Sequence, residues 1–141
     1  MQRKPNLKQS VFKSGKALYR AFPLILGTIL LVSLASLIPK SLYSTIFSKN
    51  MLLDSVIGSL VGSISAGNPI SSYILGGELL EQGVSLVAVT AFLVAWVTVG
   101  LIQLPAESYM LGRKFAITRN VLSFIFAIIV ALITVGIYLL I

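Results

Sequence analysis

The stretch 58–83, GSLVGSISAGNPISSYILGGELLEQG, is apolar enough to enter a lipid bilayer, yet it is interrupted at Gly67-Asn68-Pro69 and again at Gly76-Gly77. In hydrocarbon each backbone N–H and C=O must be satisfied within the protein. A membrane segment therefore breaks only where other protein or a water-filled cavity takes up the freed groups. Such a break points to a binding site or a pathway, and the rest of the chain has to fold around it.

Composition places the stretch in a membrane. Of 141 residues, 57% are hydrophobic and 11% charged, with a mean hydropathy of +0.98, whereas a soluble domain carries about 25% charged residues. An all-α, polytopic membrane protein is expected. The chain has no cysteine and no histidine, which removes disulfides, thiolate or imidazole metal sites and histidine proton shuttling. No cofactor and no metal are expected. The net charge of +7 lies in residues that flank apolar runs without an interleaved aromatic platform, so it speaks for membrane orientation and against nucleic acid as a partner.

In chain order, residues 1–20 carry Arg3, Lys4, Lys8, Lys13, Lys16 and Arg20 and no acid. Leu7, Val11, Gly15, Leu18 and Phe22 recur at spacings of three and four, which predicts an amphipathic helix lying on the cytoplasmic headgroups. A single membrane domain, 21–141, follows. Its first apolar run, 21–38, reaches about 27 Å as a helix and is read as a span; a cleaved signal peptide is the competing reading of this region. A short interfacial connector containing Lys40 and Lys49 leads into a broken hairpin over 51–82, and the charge-free runs 84–104 and 121–141 read as two further spans.

Charge sets the orientation. With the basic N-terminus and Arg113, Lys114 and Arg119 inside, only Lys40 and Lys49 remain outside, giving a cytoplasmic N-terminus and an external C-terminus. The residues between the first span and the 84–104 span must then start and finish on the outer side. Two arms of this length, each short of the ~20 residues of a straight span, predict a re-entrant hairpin turning at Gly67-Asn68-Pro69. Two short full spans give the same topology.

Within the hairpin, Gly58 and Gly62 leave one face of the first arm nearly bare, and with Gly67 they are read as packing positions. Ser63, Ser65, Asn68, Pro69, Ser71 and Ser72 crowd the turn and are read as candidates to line a substrate pathway. Serine also back-bonds its own helix, so a purely structural reading stands beside that one. Glu78, after Gly76-Gly77, is the candidate buried carboxylate, because an ionisable group within a membrane is expensive unless used. Asp54 and Glu81 are placed near the outer interface, Asp54 complementing a helix N-terminus. In the last span Ser123, Ala127, Ala131 and Thr134 predict a helix interface, and Tyr138 an outer anchor.

The run 58–104 joins a Gly-rich arm, a Pro-marked break, a small apolar helix, the turn Leu80-Glu81-Gln82-Gly83-Val84 and then Ala91-Phe92-Leu93. This order resembles one half of the predicted permeases related to the ArsP organoarsenical efflux permeases, over about a third of the chain. The resemblance implies a half-size permease that needs a second copy or a partner half. Efflux members of that family carry a cysteine cluster at the break, where this chain has Ser63-Ile64-Ser65 and Asn68-Pro69, so thiol binding of arsenic does not transfer. The family also implies a second broken element after Ala-Phe-Leu, at which Thr98 and Gly100 fall here; Thr98 therefore joins the pathway candidates.

These readings together predict a multi-pass protein of the cytoplasmic membrane, without enzymatic activity, that moves a small solute of unknown identity. The lipid bilayer and a parallel homodimer are its expected partners. A membrane scaffold without a pathway is the alternative, and a holin-like pore former a third.

Overall fold

The computed structural model describes residues 7–37, 39–47, 50–65 and 68–141. The elements are α1 (Leu7–Ser36), α2 (Lys40–Ile46), α3 (Met51–Ile64), α4 (Pro69–Glu81), α5 (Leu86–Thr98), α6 (Leu104–Leu111) and α7 (Arg113–Tyr138). The protein is all-helical, with no strand among the described residues.

Local chemistry sets the helix ends around the interrupted stretch. Asn50 Oδ1 accepts from the backbone N–H groups of Leu52 at 3.1 Å and Leu53 at 3.4 Å, and so caps α3. At its far end Ser65 turns to an extended backbone, its N–H donating to Gly62 O at 3.2 Å. Asn68 Oδ1 accepts from Ile70 N–H at 2.9 Å, and Pro69 occupies the first turn of α4, where a missing N–H costs nothing. Two residues past the end of α4, Gly83 has a φ of +89°. There Gly83 N–H donates to Leu80 O and Val84 N–H to Leu79 O, both at 3.0 Å. That left-handed cap reverses the chain into α5.

The helix at the centre of the fold is α5. Six of its residues, Val87, Ala88, Val89, Ala91, Phe92 and Ala95, are buried, and α3, α4 and α7 all pack on it. Contact with α3 is at backbone distance. A Cβ added at Gly58 would run into the carbonyl oxygen of Ala88, and one added at Gly62 into that of Phe92. Together with a hydrogen bond between Asp54 and Ser85, these contacts rise along both helices in the same order, so α3 and α5 are parallel. Approach this close puts many atoms of the two helices in van der Waals contact.

On a second face of α5, Gly76 of α4 lies against Val89 and Leu93; an added Cβ would sit 3.2 Å from Leu93 Cδ2. On a third face, Val87 and Ala91 meet Ala131 and Val135, while Ala95 and Val99 meet Ala127. That order makes α7 antiparallel to α5. Tyr43 of α2 closes the N-terminal end of α5 against Val84, Ala88 and Val89. Burial, with the nearby Glu78 carboxylate as the lesser cause, pushes its phenol above the usual tyrosine value.

Several sequence expectations change here. The basic segment and the apolar run after it form one continuous helix, α1, which runs through Pro23 although a proline in a helix interior removes one ladder hydrogen bond. The run 84–104 is not one helix, because α5 stops at Thr98 after 13 residues, about 20 Å. Residues 105–120, between the two expected spans, are mostly helical, and α7 already begins at Arg113. Its buried face is Ala116, Asn120, Ala127, Ala131 and Val135, whereas Thr134 is exposed. The two arms α3 and α4 do not pack on each other; each packs on α5. Gly67 and Lys49 lie outside the described residues.

Candidate functional site

Parallel packing brings the C-terminal ends of α3 and α5 to the same level, and both helices stop there. The break in α5 has an identifiable cause. Val99 N–H still donates to Ala95 O at 2.8 Å, but the next amide, Gly100 N–H, donates instead to Asn120 Oδ1 on α7, at 2.8 Å. A side-chain carboxamide thus replaces the helical carbonyl. The chain then turns, Gln103 N–H donating to Gly100 O at 3.0 Å, and restarts as α6 with Pro105 in its first turn.

Asn120 is fixed from behind. It is 4% exposed, and its Nδ2 donates to Ala116 O at 2.9 Å and, more weakly, to Glu107 Oε2 at 3.4 Å. Glu107, in the first turn of α6, pairs with Arg119 at 2.8 Å. Two buried atoms near this pair, Arg119 Nε and Ser108 Oγ, have no hydrogen-bond partner, and neither residue lines the cavity described next.

Where the helices stop, a cavity of about 390 Å³ opens between α3, the α5–α6 turn and α7. Its walls are hydrocarbon, including Leu60, Val99, Ile117 and Phe124, with Ser63 and Asn120 as its polar members. Beside it, Ser65, Trp96, Gly100 and Gln103 enclose a smaller space of about 100 Å³. Trp96 is held there edge-on against Phe92, with ring centroids 5.2 Å apart.

Of the residues singled out from sequence, Ser63 and Ser65 therefore meet the broken end of α5. Their hydroxyls back-bond α3, Ser63 Oγ donating to Leu60 O at 2.8 Å and Ser65 Oγ to Val61 O at 2.7 Å. Asn68 and Pro69 serve as cap and first turn of α4. Ser71 and Ser72 are buried, Ser72 Oγ donating to Pro69 O at 2.7 Å. Thr98 is exposed, and its hydroxyl donates to Val94 O at 2.7 Å. Glu78 lies toward the other end of α4, half-buried, where it accepts from Gln82 Nε2 at 2.8 Å.

The fully buried carboxylate is not Glu78 but Asp54, at 0% exposure. Its Oδ2 accepts from Ser85 Oγ at 2.5 Å, while Oδ1 has no partner. Asp54 lies at the N-terminal ends of both α3 and α5, whose dipoles favour a negative charge. Sequence reasoning placed Asp54 at a helix start but missed Ser85, Asn120 and Glu107. An asparagine at the edge of a long apolar run was the one available signal for Asn120. No protein-family model, curated protein or solved structure matches the chain.

Proposed function

We propose that this chain is a permease subunit of the cytoplasmic membrane that moves a small solute at the level where α3 and α5 break. The observation that carries the reading is this pair of parallel helices, locked backbone to backbone and ending together beside a cavity. Broken helices in a bilayer need such a setting, because their freed backbone groups must face protein or a cavity. Membrane residence is supported by α7, which at 26 residues is long and apolar enough to cross, and by large apolar side chains exposed along α3, α4 and α7.

In this reading α1 and α7 cross the bilayer, α3 and α4 enter and leave from the outer side, and the α5 to α6 break completes the inward crossing. Arg113, Lys114 and Arg119 then lie on the cytoplasmic side, with the N-terminus inside and the C-terminus outside. A second copy, parallel to the first, completes the pathway, as the likeness to half of an ArsP-type permease suggests. The substrate of those relatives does not carry over, since Ser63 and Ser65 stand where a thiol site would be.

The chain lacks cysteine, so single cysteines report without background. In sealed inverted vesicles, S65C, half-buried at the break, is expected to react with N-ethylmaleimide, while S55C and S59C, buried along α3, stay silent. If S65C is as unreactive as S59C, the protein is a packed scaffold and the permease reading fails.

A further inference from the structure

The cavity at the break is a groove, open between α3 and α7. Leu60, Ile117, Val121 and Ile125, which line it, are all exposed, and its volume is about 390 Å³. In the membrane placement proposed above, on which this inference rests, the opening faces lipid. A void between hydrocarbon walls forfeits the dispersion contacts of the atoms that line it, so an apolar occupant is favoured.

Nothing polar stands in the way of hydrocarbon. Ser63 and Asn120, at the edge of the groove, are buried. The Ser63 hydroxyl donates to Leu60 O, and Asn120 accepts from Gly100 N–H and donates to Ala116 O. Each is satisfied within the protein, so an acyl chain lying in the groove strands neither donor nor acceptor.

What sets this groove apart from other apolar surface is the charge at its cytoplasmic end. Along α7, Arg113, Ile117, Val121 and Ile125 recur every four residues, and Lys114 precedes Ile117 by three. Both cations therefore share the helix face that lines the groove. Helical side chains lean toward the N-terminus, which carries the two charged heads beyond Ile117 to the headgroup level. Both residues are exposed, and among the described residues neither is ion-paired: Glu107, the acid of α6, is held by Arg119 at 2.8 Å. From Ile117 to Ile125 the groove runs about 12 Å along the helix, close to the ~15 Å hydrocarbon depth of one leaflet.

A neutral lipid satisfies the walls and leaves two cations without a counterion. A soluble anion does the reverse. A molecule that joins a negative headgroup to a hydrocarbon chain uses both features, and basic pockets between membrane helices on the cytoplasmic side hold such headgroups.

We propose that an anionic phospholipid of the cytoplasmic leaflet binds this chain, with one acyl chain in the groove between α3 and α7 and its phosphate on Arg113 and Lys114. The guanidinium takes the phosphate oxygens as a fork, the ammonium as a point charge. Seated there, the lipid closes the membrane-facing side of the break and leaves the adjoining space at Ser65 and Trp96 to the solute.

Native mass spectrometry of the full chain in detergent micelles, titrated with dioleoylphosphatidylglycerol or dioleoylphosphatidylcholine, tests the site. One phosphatidylglycerol is expected to bind about ten- to thirtyfold more tightly than phosphatidylcholine, the scale of two basic side chains at a membrane surface. The double variant Arg113→Gln, Lys114→Gln changes two exposed positions and is expected to lose that preference. Val121→Trp fills the groove and leaves both charges in place. It is expected to weaken phosphatidylglycerol about tenfold, the effect of displacing two methylenes. Glycerol phosphate, the headgroup without chains, is expected to displace no lipid.

Equal retention of the two lipids, a preference that survives the double variant, a Val121→Trp titration identical to the parent, or displacement by glycerol phosphate would each overturn the proposal. Loss of lipid selectivity with S65C still labelled refutes the lipid site alone. Unlabelled S65C with phosphatidylglycerol still selected refutes the permease reading and leaves the lipid site standing.

Discussion

At its Asn50 end the α3 and α5 pair is closed by a carboxylate: Asp54, fully buried, takes the Ser85 hydroxyl between two helix N-termini. At its Ser65 end the same two helices stop, the α5 ladder is taken over by Asn120, and a cavity of about 390 Å³ fills the space. One pair of helices is thus sealed by a carboxyl–hydroxyl contact between them and opened by a borrowed side chain. Between the ends, Gly58 and Gly62 press α3 onto the α5 backbone. The sealed end and the glycine contact hold the helices parallel, and that alignment brings both breaks to one level.

Breaking the middle should break both ends. Gly58→Val or Gly62→Val drives a side chain into a carbonyl of α5, and backbone cannot move aside as a side-chain tip would. A loss of about 3 kcal/mol or more is expected, read as a lowered unfolding midpoint in mixed micelles. Next in size are two substitutions that separate the ends. Asp54→Ala strands the Ser85 hydroxyl, and Asn120→Ala strands the Gly100 amide; each is expected to cost about 1–3 kcal/mol. Only Asn120→Ala should change the labelling of S65C.

The smallest effects come from the second glycine pair, which sharpens the contrast with the first. Gly77 is exposed within α4 and has open space around it, so Gly77→Ala is expected to stabilise by about 0.5–1 kcal/mol through helix propensity alone. Gly76→Ala places a methyl 3.2 Å from a leucine tip, which can rotate away, and should stay within about 1 kcal/mol of the parent. A loss at Gly77 comparable to that at Gly58 would contradict this account of the packing.

The sequence made one break legible because its causes are local. Asn68-Pro69 caps and starts α4 within two residues, and Gly58 and Gly62 mark a bare helix face by their spacing alone. The other break cannot be read from the residues themselves, because its cause is distant: Gly100 is released by Asn120, 20 positions along the chain, and 84–104 otherwise reads as an unbroken apolar run, so that the expectation of a broken element at Thr98 and Gly100 came from the family resemblance alone. The buried carboxylate was misassigned for the same reason. Asp54 and Glu78 look alike in sequence, and only Ser85, 31 positions from Asp54, together with the parallel packing of α5, buries the first and leaves the second half-buried. The continuity of α1 escaped notice because a surface stripe and a spanning run share one helical period.

The break in α5 is the feature on which the cavity and the comparison of the two ends both depend. Residue-resolved hydrogen–deuterium exchange in nanodiscs tests it directly. The amides of Leu101 and Ile102 are expected to exchange at least about a hundredfold faster than those of Val89 to Ala95, because protection follows the intact helical ladder. Uniform protection from Leu86 through Leu104 would mean an unbroken span, and would contradict the account.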